Sequence, residues 1–219
     1  MIWAVVPAKF GKSAKERLAP VLAQDVRERL AKAMLSDVLR ALGGCPAVEA
    51  TVVISRDAAA LELAAASAAE GLPEQARGGL NASVAEAIAH CTARGATGVV
   101  IAMGDLPLLR PDDVSAAVER LPERGLVLLP SSDGTGTNLV VARPPDLLEP
   151  EFGPGSLARH LEQVRRKAIV AVIHECAGAA LDVDTPADLD RLRGAPNASA
   201  DTVEIARLGR AEARRTAGA

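Results

Sequence analysis

Aromatic residues are almost absent from this 219-residue chain, which has one Trp, two Phe and no Tyr. Proteins that bind single-stranded nucleic acid without sequence preference stack the bases on aromatic side chains. The formal net charge of -3 also provides no positive field for a polyanion. The composition therefore predicts no nucleic-acid partner and a core built from Ala, Val, Leu and Ile.

Cysteines and long apolar runs are also scarce. Cys45, Cys91 and Cys176 show no CxxC or Cys/His metal spacing, so we expect three buried thiols in a reducing compartment. No apolar run reaches the roughly 18 residues that a membrane-spanning helix needs. The first seven residues are apolar but lack the basic segment of a signal peptide. We expect a cytoplasmic protein that does not bind membranes.

Short Val/Ile-rich runs alternate with longer amphipathic stretches rich in Ala, Leu and Arg. This alternation predicts an α/β fold of three layers, with a mixed, mostly parallel sheet and helices on both of its faces. The stretch 126–143 lacks an intervening helix, so part of the sheet should be antiparallel. The predicted strands are 2–8, 50–55, 98–103, 126–130, 137–143 and 168–174. The predicted helices are 25–42, 58–69, 82–94, 112–120, 156–166 and 187–192.

The composition changes after Gly194, where small and polar residues replace the alternating pattern. We therefore predict a single domain over residues 1–194. Residues 195–219 are predicted to be a loosely attached C-terminal tail, with a polar, frayed helix over 203–215.

Acidic residues follow two of the apolar segments. Asp105 comes directly after the predicted strand 98–103, where open α/β sheets bind their ligands. Asp182 and Asp184 lie on one side of an extended segment, because side chains alternate along it. Two carboxylates on one side repel each other unless a cation neutralises them, which favours a divalent metal. The competing interpretation of Asp105 is an Asp that accepts hydrogen bonds from loop amides.

A cluster of cations follows the first predicted strand. Lys9, Lys12, Lys15 and Arg17 fall within nine residues, as a phosphate-binding loop requires. The upstream glycine of a Walker A motif is missing, so a P-loop is rejected. A solvated surface loop is the alternative.

Short loops of glycine and hydroxyl residues precede further elements. Gly79, Asn81 and Ser83 form a turn that leads into a helix, and on their own they indicate only a turn and a cap. Thr137 lies in a second such loop. Gly153 and Ser156 lie in a third, where hydroxyls and amides at a helix N-terminus suit a carboxylate or phosphate. One turn beyond Ser156, His160 is as well explained by a half-buried helix position as by a ligand contact. No residues form a convincing Ser/His/Asp or Cys/His triad.

Taken in order, these motifs resemble the 2-phospho-L-lactate guanylyltransferase family, whose bacterial relatives use phosphoenolpyruvate or 3-phosphoglycerate. The resemblance runs from about residue 3 to residue 192. It implies a nucleotidyltransferase fold like that of the glycosyltransferase-A group, and a role in making the deazaflavin coenzyme F-420. The matching motifs are KERLAP (15–20), AMLSDVL (33–39), GLN (79–81), GDLP (104–107), GTN (136–138), FG (152–153), Ser156 and DVDTP (182–186).

The resemblance also implies roles for individual residues in joining GTP to a phosphorylated three-carbon acid. The metal, Mg²⁺, would be held by Asp105, Asp182 and Asp184. The three-carbon acid would be held by Thr137, Gly153 and Ser156. The loop 9–17 would cradle the triphosphate. The predicted catalytic residues are accordingly Asp105, Lys15 and Arg17, and the predicted nucleotide contacts are Lys9, Lys15, Asn81 and Ser83.

Two other functions stay open at this point. One is a nucleotidyltransferase of the same fold that acts on a sugar phosphate or a molybdenum cofactor. The other is a nucleotide-binding module without turnover. The expected partners are the two small-molecule substrates and a downstream transferase that receives the product. An apolar strand edge could also support a homodimer.

Overall fold

A computed structural model describes residues 1–11 and 14–217 of the chain, with side chains through residue 208. Lys12, which sequence analysis assigns to the phosphate loop, lies outside the described residues.

Seven strands form one mixed sheet in the order β3-β2-β1-β4-β6-β5-β7. β6 runs antiparallel to its neighbours β4 and β5, and the other neighbouring strands pair in parallel. The predicted mixed, mostly parallel sheet is confirmed. The strands are β1 (Ile2–Pro7), β2 (Ala50–Ser55), β3 (Glu70–Pro73), β4 (Gly98–Ala102), β5 (Gly125–Pro130), β6 (Thr137–Arg143) and β7 (Ala171–Ile173).

Helices cover both faces of this sheet. Successive side chains of β1 show the arrangement, since Ala4 and Val6 belong to one buried cluster while Trp3 and Val5 belong to another. The three predicted layers are therefore confirmed. The helices are α1 (Gln24–Gly43), α2 (Ala58–Ala66), α3 (Leu80–Ala93), α4 (Pro111–Glu119), α5 (Ser156–Arg166), α6 (Ala177–Ala180), α7 (Pro186–Gly194) and α8 (Ala200–Ala217), with a 3₁₀ turn at Glu16–Leu18.

The strand β3 differs from the sequence-based expectation. Its sequence, EGLP, contains Gly and Pro, which are depleted in strands, so no strand is predicted there. It is tolerated because β3 lies at the edge of the sheet and pairs only with β2. The predicted helix 58–69 consequently ends three residues early, at Ala66.

The first turns of α8 are docked on α1, which differs from the expected loosely attached tail. The Thr202 hydroxyl donates to Asp37 Oδ2 at 2.6 Å, and the Ser199 hydroxyl donates to the same oxygen at 2.9 Å. Ala206 is fully buried in a cluster that includes Leu30 of α1. Asp37 is itself buried, so the hydroxyls of the tail supply the hydrogen bonds that its carboxylate needs. The division at residue 194 into domain and tail stays a prediction.

Within the part of the chain that the structure describes, no helix combines the length and the apolar character that crossing a membrane requires.

Candidate active site

A largely buried lysine joins two acidic segments just beyond the carboxyl end of β4, an inner strand of the sheet. Lys15 Nζ donates a hydrogen bond to Asp184 Oδ1 at 2.8 Å and another to Asp105 Oδ2. The Lys15 side chain is only 10% exposed, against 25% for Asp105 and 42% for Asp184. Sequence analysis placed the three residues in one site, and the structure brings them into direct contact.

The backbone at this end of β4 explains how the acidic segments meet. The Val183 amide donates to the Asp105 carbonyl at 3.4 Å, so the segment that carries Asp182 and Asp184 runs beside the turn after β4. Gly104 lets that turn approach the end of β1, since a Cβ there would lie 3.3 Å from the Pro7 carbonyl oxygen. A larger residue would push Asp105 away from Lys15.

Lys15 adopts a backbone conformation that side chains of L-residues rarely take. Its φ of 48° lies in the left-handed region, which costs a non-glycine residue about 1 kcal/mol. The two ion pairs offset this cost. Burial alone would lower the pKa of the Lys15 ammonium, but the carboxylates of Asp105 and Asp184 outweigh it and the pKa is raised. Lys15 is therefore a fixed, buried positive charge.

Among the described residues, no Lys or Arg forms an ion pair with Asp182, which is instead held by an amide. Asn138 Nδ2 donates to Asp182 Oδ1 at 3.2 Å and to the Ala179 carbonyl at 3.0 Å. Burial, and then the nearby charge of Asp105, raises the pKa of Asp182 above its ordinary value. The three carboxylates thus carry more negative charge than Lys15 neutralises.

Hard carboxylate oxygens are the donors that Mg²⁺ prefers. The surplus negative charge also fits a divalent cation at this end of β4. Among the described residues, however, no three His, Cys, Asp or Glu side chains already converge as a metal site, because Lys15 lies between Asp105 and Asp184.

Two of the other predicted cations, Arg17 and Lys9, are exposed. Arg17 Nη1 is 3.9 Å from Asp184 Oδ2, and its side chain is 70% exposed. Lys9 lines a cavity near the end of β1. The predicted catalytic group of Asp105, Lys15 and Arg17 is therefore assembled around Asp184.

A cavity of about 580 Å³ opens at the carboxyl ends of β1 and β2, against the start of α3. Ser83 lines it but is 5% exposed, and its hydroxyl donates to the Gly79 carbonyl at 3.0 Å. Its other lining residues include Lys9, Arg56 and Glu74, and Arg56 is paired with Glu74 at 3.1 Å. The cavity has the volume of a small-molecule site.

A second candidate site is the loop from Glu151 to Ser156, whose backbone is held by the side chains of Asn81 and Arg159. Asn81 Nδ2 donates to the Phe152 carbonyl at 3.2 Å, and the Phe152 amide donates to Asn81 Oδ1 at 2.7 Å. Arg159 donates to the carbonyls of Pro154 and Glu151 at 2.6 and 2.8 Å. Because both ends of the Asn81 amide are engaged in this way, Asn81 holds the loop.

Two buried hydroxyls lie beside this loop, and neither donates a hydrogen bond to any other residue that the structure describes. Ser156 Oγ accepts the Thr137 amide at 2.8 Å. His160 Nε2 accepts the Glu151 amide at 3.3 Å, so the ring proton is on Nδ1, which donates to Thr137 Oγ1 at 3.1 Å. Both hydroxyl oxygens are thus hydrogen-bond acceptors within the protein.

Gly153 lies in the same loop at a φ of 114°, a conformation that favours glycine. Thr137, Gly153 and Ser156, the predicted acceptor group, therefore share one region of the structure. His160 is fully buried, and its pKa is lowered from 6.5 to about 4, chiefly by burial. It is a neutral residue that orients Thr137.

Sequence reasoning missed Asn138, Arg159 and Glu74. Asn138 belongs to the GTN motif, so the motif itself was the available signal. Arg159 and Glu74 carry no such signal, because their contacts depend on how separate elements pack.

The sheet order and the two layers of helices give this chain the nucleotide-diphospho-sugar transferase fold. A solved structure from Desulfovibrio desulfuricans G20, assigned to the nucleotide-diphospho-sugar transferases, superimposes with a TM-score of 0.78 at 21% identity, covering 98% of this chain and 97% of that one. Within this class, the chain belongs to the family described as Guanylyl transferase CofC like, which it matches over residues 2–199.

Named relatives are similar over most of their length. The phosphoenolpyruvate guanylyltransferase of Sphaerobacter thermophilus is 42% identical over 191 residues, which are 87% of this chain and 92% of the relative. The 3-phospho-D-glycerate guanylyltransferase of Phenylobacterium zucineum is 36% identical over 191 residues, which are 86% of this chain and 88% of the relative.

Proposed function

We propose that this chain transfers GMP from GTP to the phosphate of a three-carbon phospho-acid and releases pyrophosphate, as a step in coenzyme F-420 biosynthesis. The acceptor is phosphoenolpyruvate, 3-phospho-D-glycerate or 2-phospho-L-lactate. The names of the relatives support the first two acceptors. The chain would act in the cytoplasm and pass its product to the next transferase of the pathway.

One observation carries the proposal: the ammonium of Lys15 lies between Asp105 and Asp184, and the turn that carries Asp105 packs, through Gly104, against Pro7, which lines the cavity together with exposed Lys9. A transferase that joins two polyanions needs fixed positive charge where they meet. Lys15 fixes the carboxylates of Asp105 and Asp184 in place, and the positive charge that the phosphates need would come from a divalent cation on these carboxylates. Arg17 and Lys9 add exposed positive charge.

In the proposed reaction, a phosphate oxygen of the acceptor attacks the α-phosphorus of GTP. A new P–O bond forms while the bond from the α-phosphorus to the bridging oxygen breaks, and pyrophosphate leaves with that electron pair. No general base is required, because a phosphate monoester with a second pKa of about 6 is largely dianionic at neutral pH. This agrees with a site whose one buried histidine, His160, is neutral and already engaged.

Mg²⁺ is part of the proposal, with Asp105, Asp182 and Asp184 as its ligands. When bound, it would neutralise phosphate charge and stabilise the transition state. The crowding of these carboxylates supports the assignment, since burial and then the nearby charge of Asp105 raise the pKa of Asp182.

The acceptor would be held by the region around Thr137, Gly153 and Ser156. The two hydroxyls there suit a carboxylate or phosphate oxygen. The nucleotide would occupy the cavity that Lys9 and Ser83 line. In this proposal Asn81 lies between the nucleotide cavity and the acceptor loop, and its hydrogen bonds to the Phe152 backbone hold that loop in place.

The test is an acceptor panel. Purified protein is incubated with GTP, Mg²⁺ and each of the three acids, and the guanylylated product and pyrophosphate are measured by mass spectrometry and a coupled assay. A trap with the downstream transferase protects labile products. Product with one acid identifies the acceptor. Turnover only with sugar phosphates or a molybdenum cofactor, or GTP binding without any turnover, would overturn the proposal.

A further inference from the structure

The nucleotide cavity contains a carboxylate that the proposed transfer does not use. Glu74 follows β3 and lines the cavity, and its side chain is 15% exposed. Arg56 Nη2 lies 3.1 Å from Glu74 Oε1. Among the described residues Glu74 Oε2 has no hydrogen-bond partner, so it is an acceptor that faces a cavity.

The loop that carries Glu74 is fixed by α3. Glu86 accepts hydrogen bonds from the amides of Gln75 at 3.1 Å and Ala76 at 2.8 Å. The Glu74 amide donates to the Ser55 carbonyl at 2.9 Å. The carboxylate of Glu74 is therefore presented from a braced backbone, which is what a group that discriminates between ligands requires.

Other polar side chains of the cavity are committed to the protein. The Ser55 hydroxyl donates to the Ala8 carbonyl at 2.8 Å, and the Ser83 hydroxyl donates to Gly79. Asp57 Oδ1 caps α2 by accepting the Ala59 amide at 3.0 Å. Of the two carboxylates that line the cavity, Asp57 caps a helix, whereas Glu74 is paired with Arg56 and caps none.

An apolar surface completes this part of the cavity. Leu80, at the start of α3, is 40% exposed although it is a large hydrophobic residue. Ile54 lines the same cavity. A flat ring seated there would cover Leu80, and in a chain with so few aromatics aliphatic side chains would have to hold the ring.

We propose that Glu74 selects the guanine base of the nucleotide by accepting hydrogen bonds from its N1–H and 2-amino groups. This inference rests on the proposed function and names the base-reading residue of the same site. Guanine presents two donors on this edge, and a carboxylate presents only acceptors. Adenine presents an acceptor at N1, which the carboxylate would repel, so Glu74 would favour GTP and reject ATP.

The experiment compares GTP, ITP and ATP as donors for the wild type, Glu74→Gln and Glu74→Ala, with calorimetric binding of each nucleotide as a second readout. ITP keeps N1–H and lacks the 2-amino group. The wild type should prefer GTP to ITP by about tenfold or more. Glu74→Gln replaces one of the two acceptors with an amide donor, which can face adenine N1 and can no longer accept from both guanine donors, so the GTP-to-ATP preference should fall by about 100-fold.

Glu62→Gln is the matched control, because Glu62 is exposed on α2 and does not line the cavity. It should leave all three nucleotide preferences unchanged. Asp57→Asn tests whether Asp57, another carboxylate that lines the cavity, selects the base instead of Glu74.

The proposal would be overturned by unchanged preferences in Glu74→Gln or by a shift in Asp57→Asn instead. Should Glu74→Gln fail to fold, equal use of GTP and ITP by the wild type would overturn it. A wild type that uses no GTP at all would contradict the proposed function itself, which separates the two failures.

Discussion

Lys15 and His160 are both buried, and burial has opposite results for them. Two carboxylates contact the Lys15 ammonium and keep it charged. The His160 ring instead contacts an amide and a hydroxyl, so burial lowers its pKa to about 4 and it stays neutral. The charged residue holds the two carboxylates in place, and the neutral one orients Thr137.

Lys15→Met should remove the charge and leave Asp105 and Asp184 facing each other. We expect the free energy of unfolding without metal to fall by about 1–2 kcal/mol, because both carboxylates are partly exposed and solvent screens their repulsion. Turnover should fall at least 100-fold. Thermal melts with and without Mg²⁺ check this, since the ion should stabilise the variant more than the wild type. Equal stabilisation of both proteins would contradict the proposed electrostatics.

His160 should make stability depend on pH below neutrality. Its pKa is lowered from 6.5 to about 4, so between these values the unfolded chain binds a proton that the folded chain does not. Stability contributed by the neutral ring is therefore present above pH 6.5 and lost as the pH falls toward 4, by about 3 kcal/mol in total. Urea unfolding of the wild type and His160→Gln from pH 7 to pH 4 checks this. Parallel curves for the two proteins would show that His160 does not titrate in this window.

At the scale of elements, the start of α3 connects the two halves of the candidate site. Gly79 and Ser83 line the nucleotide cavity, while Asn81 between them binds the backbone of Phe152. The loop after Phe152 leads into α5, which carries Ser156 and His160. A change at Asn81 should therefore reach the acceptor region without touching the cavity.

Asn81→Ala should raise the KM of the acceptor about tenfold and change the KM of GTP less than about threefold, because it removes two hydrogen bonds from the loop. Asn81→Asp keeps the acceptor for the Phe152 amide and should be intermediate. Steady-state kinetics with each substrate varied measure both constants. A larger effect on GTP would favour the direct nucleotide contact that the sequence predicts.

The elements differ in how well their sequences specify them. β1 and β4 are continuous apolar runs, so their positions, and that of Asp105 just after β4, follow from the sequence pattern. The 182–184 segment follows α6 and not a strand, so its meeting with Asp105 depends on packing. β3 lacks that pattern and exists because β2 offers it an edge. The role of Asn81 depends on Phe152, which is distant in sequence, so a helix-start signal could not reveal it.

At the scale of the whole molecule, the docked start of α8 ties the C-terminal segment to the helix layer beside β1. Thr202 is fully buried, and its hydroxyl bonds the carboxylate of Asp37 in α1. Among the described residues Thr202 makes no hydrogen bond to Lys15, Asp105 or Asp184, so we expect stability and activity to separate there.

Thr202→Val preserves shape and removes the hydroxyl, which should lower the free energy of unfolding by about 2 kcal/mol because a buried charged group loses a hydrogen bond. Thr202→Ser keeps the hydroxyl and should lose much less. Denaturant unfolding gives both values, and kcat/KM should stay within a factor of two. A loss of activity in folded Thr202→Val would place α8 in the catalytic cycle.

The most direct test of the account is pyrophosphate release from GTP by Asp105→Asn, measured with the best acceptor from the panel. The substitution is nearly isosteric and removes the charge that Lys15 and the proposed Mg²⁺ share. The account predicts a folded protein whose turnover is reduced at least 1000-fold. Near-normal pyrophosphate release from that variant would contradict the claim that this cluster performs nucleotidyl transfer.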